Sequence, residues 1–213
     1  QAWTMAGIIL NIVLLVFIFI SLIIFVFAKP LAGLVVPGFS VSQISIMANL
    51  LRIMLLAQIF FCISGFLTGM IQSHQRFLAP AIAPLAYNLG IILGIIFLSK
   101  TLGIYAPAVG MVMGAALHMF IQLPAAMSLG FRPSLSFNVR YPGVWEVARL
   151  MPPRALAMGI DQIEQFVAIM LSSLLAAGSL SLFNVARLLY AVPTLLFGAT
   201  IGQAALPSLS AYV

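Results

Sequence analysis

The apolar residues of this chain fall into six runs of 20 or more positions, separated by short turns, and no other feature constrains its fold as strongly. A helix needs roughly 20 residues to cross about 30 Å of hydrocarbon. Six such runs make up most of the sequence. They are Met5–Phe27, Asn49–Ile71, Leu78–Leu98, Tyr105–Ser128, Val147–Leu175 and Ser179–Leu209. All are too long for strands, and none alternates with period two, so a β-barrel is excluded. The expected fold is all-α: a polytopic transmembrane bundle of about six helices.

Charge supports this reading. The chain has nine basic and three acidic residues among 213, and 64% of its residues are hydrophobic. A soluble domain has roughly 25% charged residues. Twelve charges cannot solvate a globule of this size, so a water-soluble enzyme and a disordered chain are both excluded. The net charge of +6 reflects scarce acids rather than a basic patch, so a nucleic-acid partner is excluded too. The lone Cys62 permits no internal disulfide and, within an apolar run, reads as a packing residue. Gln1 leads almost directly into an apolar run with no signal peptide, which reads as an internal slice of a longer membrane protein.

The connections divide the chain unevenly. Lys29–Gln43, with Pro30, Pro37 and Gly38, reads as a turn carrying a short interfacial piece; Ser73–Phe77 and Ser99–Ile104 are tight turns. Gly130–Glu146 is the longest connection and holds Pro133, Pro142 and Gly143, which marks a boundary between two bundles. Residues 1–130 would form part of one lobe, 131–146 a linker, and 147–213 the start of a second lobe. Arg76, Arg132, Arg140, Arg149 and Arg154 gather at or beside the turns after the second and fourth runs, against Lys29, Arg52 and Lys100 opposite. That bias places those turns in the cytoplasm.

Four constellations could carry function. The first is glycine pairs four apart: Gly65/Gly69, Gly90/Gly94, Gly110/Gly114 and Gly198/Gly202. Such pairs let helix backbones approach closely in lipid, or they provide a smooth wall or sliding surface. The second is Pro84, Pro107, Pro124, Pro152, Pro153 and Pro193, within or at the ends of helices, where they bend a helix or prepare a rocking transporter.

The third is a polar stripe in the fifth run. Arg154, Asp161, Gln165 and Ser172 are spaced 7, 4 and 7, and so fall within about 60° of one another on a helix, with Glu164 and Gln162 on either flank. All three acids, Glu146, Asp161 and Glu164, lie in or beside this run. Facing lipid would cost several kcal/mol. The stripe therefore forms an internal polar network or lines an aqueous cavity, where Asp161 and Glu164 could bind a monovalent cation or a proton. The fourth is Arg187, about nine residues into the last run and close to Asn184. It either pairs with Asp161 or Glu164, or binds phosphate or carboxylate through its guanidinium fork. His118 reads as a hydrogen-bonded helix contact. Two distant histidines and one cysteine argue for no transition-metal site, and no catalytic triad, phosphate loop or nucleotide turn is present, so no cofactor and no enzymatic activity are expected.

Two segments carry a family resemblance. LLRIMLLAQIFFCISGFLTGMIQSHQRFLAPAIAPLAYNLG and GSLSLFNVARLLYAVPTLLFGATIGQAALPSLS resemble the MurJ (MviN) family, and the Pro37–Gly38–Phe39 turn fits as well. The resemblance implies a flippase for lipid-linked peptidoglycan precursors such as lipid II in the bacterial cytoplasmic membrane. It also implies a two-lobed fold shared with MATE exporters, in which these runs are the third to eighth helices. On a flippase reading, Arg187, Arg154, Gln162 and Asn184 would contact substrate, with Gln162 matching a frequent family residue, and Asp161 and Glu164 would couple transport. Arg187 stands where the family usually has Asp, and Leu188 where it has Arg, a rotation of about 100°. The alternatives are a MATE-type cation-coupled exporter, a flippase for another polyprenyl-linked oligosaccharide, or a membrane scaffold.

Overall fold

The computed structural model describes residues 2–132, 135–176 and 178–193; the side chains of Ala2 and Asp161 are not among the described parts. Within these limits the chain is helical. The elements are α1 (Ala2–Val26), α2 (Ala28–Val35), α3 (Val41–Ser73), α4 (Leu78–Leu102), α5 (Ala106–Ser128), α6 (Val144–Ser173) and α7 (Ser179–Pro193). Four helical stretches are long and apolar enough to cross a membrane: 3–26, 41–73, 78–128 (which contains both α4 and α5) and 144–173. The end of the sixth run, 194–209, including Gly198 and Gly202, lies outside the described residues.

The sequence reading of Lys29–Gln43 is refined in two ways. Seven of these residues, with Ala28 before them, form α2, because Pro30 sits in its first turn, where no backbone N–H is missed. The helix after it begins at Val41 rather than Asn49. Ser40 caps it: the Gln43 amide donates to Ser40 Oγ at 3.4 Å, and the Ser40 amide donates to Gln43 Oε1 at 2.9 Å. This reciprocal pair satisfies two donors that a helix start leaves open.

The core of the bundle is α3, α4 and α5. α4 and α5 form an antiparallel hairpin in which Gly90 faces Gly114 and Gly94 faces Gly110; a Cβ on Gly90 or Gly94 would overlap the opposing backbone. Two of the three glycine pairs among the described residues thus bring helix axes together. Gly65 and Gly69 on α3 meet nothing within 4 Å.

α3 and α5 run parallel, and a polar clasp joins them. Fully buried Gln122 donates through Nε2 to Ser64 Oγ at 2.7 Å, and Thr68 donates to Gln122 Oε1 at 2.6 Å. Ser64 Oγ also lies 2.5 Å from His118 Nδ1. The edge of His118 packs on Phe61, with ring centroids 5.4 Å apart, and Phe61 packs on Tyr87 of α4 at 5.0 Å. His118 is the hydrogen-bonded helix contact that the sequence suggested.

One end of the bundle is closed by aromatics. Trp3 stacks on His74 at 5.1 Å and leans on Phe131, while Arg76 donates to Ser128 Oγ at 3.1 Å. The start of α1, the α3–α4 turn and the end of α5 therefore meet, as alternating crossings require. At the opposite end, α2 packs Ala28 and Ala32 against Ala48 of α3.

Candidate functional site

α6 is built differently from α3–α5. Pro152 and Pro153 lie inside it, and most of its surface is exposed. It meets the preceding helices mainly at two places. Near its start, Val144, Val147, Ala148 and Met151 pack on Ile9, Ile12 and Val13 of α1, and Asn11 donates to the Ser136 carbonyl at 3.1 Å. At its far end, Ser173 touches Gly38 so closely that a Cβ there would overlap the Ser173 carbonyl. This contact borders a groove of about 320 Å³ between the 36–40 turn and the start of α7.

Between those ends lies the polar stretch. α6 and α7 enclose an open groove of about 360 Å³ lined by Glu164, Gln165, Ala168, Phe183, Ala186, Arg187 and Tyr190. The spacing explains the set. Glu164 and Ala168 are one turn apart on α6; Phe183, Arg187 and Tyr190 share one face of α7. A carboxylate and a guanidinium thus share one concave surface among apolar neighbours. A guanidinium in such a place attracts phosphate or carboxylate groups, and the carboxylate attracts cations or protons.

The sequence candidates separate here. Glu164 and Arg187 are brought together, with Gln165 of the stripe beside them. Arg154, Gln162 and Asn184 are exposed and are not among the residues lining the groove. Arg154 precedes Glu164 by ten residues, about 15 Å along the helix axis. Ser172, the last member of the stripe, is buried and belongs to the Gly38 contact region. The Asp161 side chain lies outside the described parts. Both Arg187 and Leu188 are exposed, but only Arg187 lines the groove, so it is Arg187 and not its neighbour that turns towards α6. Phe183 and Tyr190 were missed; their offsets of four and three from Arg187 were the available signal.

Four helices long and apolar enough to cross a membrane, with a charged groove between α6 and α7, define a polytopic helical membrane protein. Residues 1–213 match in full the family described as lipid II flippase MurJ, and the chain belongs to that family. It is similar to the lipid II flippase MurJ of Burkholderia cenocepacia, with 30% identity over 165 residues, covering 75% of this chain and 32% of that protein. It is also similar to probable lipid II flippases of Thermotoga maritima (28% identity; 94% of this chain and 40% of the relative) and Borreliella burgdorferi (22%; 90% and 38%). The chain thus spans roughly a third to two fifths of the length of these relatives.

Proposed function

We propose that this chain is the part of a lipid II flippase that supplies the third to eighth helices, in the bacterial cytoplasmic membrane. Residues 1–130 belong to one lobe, 131–146 join the lobes, and 147–213 begin the second. Two observations support the division: the non-helical residues 135–143, and the fact that α6 meets the earlier elements mainly near its own two ends, at α1 and at the 36–40 turn. The turns around Arg76 and Arg132 face the cytoplasm.

The observation that carries the functional reading is the shared groove of Arg187 and Glu164 in a member of this family. The substrate has a diphosphate, a sugar-peptide head and a polyprenyl tail. The head must cross in water while the tail stays in lipid. Arg187 receives the diphosphate through charge-assisted hydrogen bonds, and Arg154 holds it at a second level of the path. Gln162 and Asn184, which do not line the groove, supply neutral hydrogen bonds elsewhere along the path. Glu164 and Asp161 reset the protein between its two states by taking a monovalent cation or proton when substrate has left. A charge moving through 100 mV contributes about 2.3 kcal/mol, which shifts a two-state equilibrium substantially.

The test is complementation by the full-length parent protein in a bacterium depleted of its own lipid II flippase. Wild type is expected to rescue growth. Failure with verified membrane insertion would overturn the substrate assignment. Glu164 in the groove also suits a MATE-type exporter, and sodium-dependent efflux of small organic cations that ignores cell-wall precursors would establish that reading instead.

A further inference from the structure

A second cationic place lies far from the α6–α7 groove, at the end of the bundle opposite Trp3. Arg52 of α3 is half-buried against the end of α1. Its Nε donates to the Phe25 carbonyl at 3.1 Å, its Nη1 donates to Asn49 Oδ1 at 3.0 Å, and its guanidinium carbon lies 5.5 Å above the Phe25 ring. These contacts fix the guanidinium and engage two of its five N–H donors. Lys29, four residues after Phe25 and in the first turn of α2, is exposed. No carboxylate is close in sequence, since all three acids of the chain belong to residues 146–164.

Below Arg52 runs a shallow groove of about 170 Å³ between α1 and α3. Its lining is Ile18, Ser21, Leu22, Phe25, Leu55, Leu56 and Ile59, with Arg52 at its head. Both helices are candidate membrane spans, and Leu22 and Leu56 are 60% and 54% exposed. A fixed cation at the end of an apolar membrane groove is complementary to an amphiphile with an anionic head and a straight hydrocarbon chain.

We propose that this groove binds an anionic phospholipid of the surrounding bilayer, with the phosphate on Arg52 and Lys29 and one acyl chain along Leu22, Leu55, Leu56 and Ile59. The site is independent of the transport reading, because it shares no residue with the Arg187 groove. The bound lipid would hold α1 against α3 where Phe27 interrupts the run from α1 into α2.

The experiment uses the full-length parent protein in nanodiscs of neutral phospholipid doped with labelled phosphatidylglycerol. Retention of label on the purified protein is expected to fall about five-fold for Arg52→Gln, and by a similar factor again when Lys29→Gln is added. Arg52→Lys is expected to retain more than half. Leu56→Trp, which fills the groove and leaves both charges, is expected to lose the label as well. Equal retention by wild type and Arg52→Gln would overturn the proposal. A photoreactive side chain at position 56 tests it without altering either cation. Cross-linking to phosphatidylglycerol supports it; cross-linking to another helix of the protein overturns it by showing that protein covers the groove. Label displaced by a polyprenyl diphosphate but not by unlabelled phosphatidylglycerol would also overturn it, by making the groove a substrate path.

Discussion

The α3–α5 interface and the α6–α7 groove both place hydrogen-bonding side chains on apolar helices, yet they are opposites in construction. In the first, Ser64, Thr68, His118 and Gln122 consume one another's donors and acceptors, and Gln122 and Ser64 are fully buried. In the second, Glu164 and Arg187 are exposed on a concave wall. The polarity of a membrane residue thus says little about its role until its partners are counted. A closed set fixes helices, and an open set is available to a ligand.

Substitutions can break or sharpen this contrast. The largest expected effect is at Arg187. In the full-length protein, Arg187→Ala should abolish complementation of a flippase-depleted strain while membrane insertion persists; normal growth would remove Arg187 from the mechanism. Glu164→Gln should slow transport without abolishing substrate binding, seen as weaker growth with unchanged precursor retention on the purified protein. Next is the glycine contact between α4 and α5. Gly114→Val forces a side chain into the Tyr87 backbone, and should lower stability by roughly 1–3 kcal/mol or more, read as a drop in melting temperature in detergent. Gln122→Ala strips the clasp of its centre and should cost about 1–2 kcal/mol by the same assay, with transport per folded molecule unchanged. The smallest effect is expected at Gly65→Ala, which meets open space and should change stability by less than about 0.5 kcal/mol within α1–α7.

Much of the fold was legible because lipid allows few solutions: long apolar runs must be helices, and their turns must alternate between faces. The position of α2 was less so. Pro30 reads as a breaker, while its place in a first turn makes it harmless. The four glycine pairs looked equivalent, and only the pairing of α4 with α5 shows which of them meet. The clasp left a usable trace that went unread. Ser64 and Thr68 are four apart on one helix, and His118 and Gln122 are four apart on another. At the site, the union of Arg187 with Glu164 followed from neighbouring helices and helical faces. The separation of Arg154 from it follows from simple length, since ten residues exceed the reach of one groove.

The clasp has a kinematic consequence. Its two rungs, Ser64 with His118 and Thr68 with Gln122, share one register offset of 54 residues, like teeth engaged in a rack. Sliding α5 by one turn would leave a tooth without a slot, so α3 and α5 must travel as one piece. The close-packed glycines tie α4 to the same piece. Among the described residues, a displacement of α6 relative to that piece would fall on residues 135–143 and on the two places where α6 rests on its neighbours.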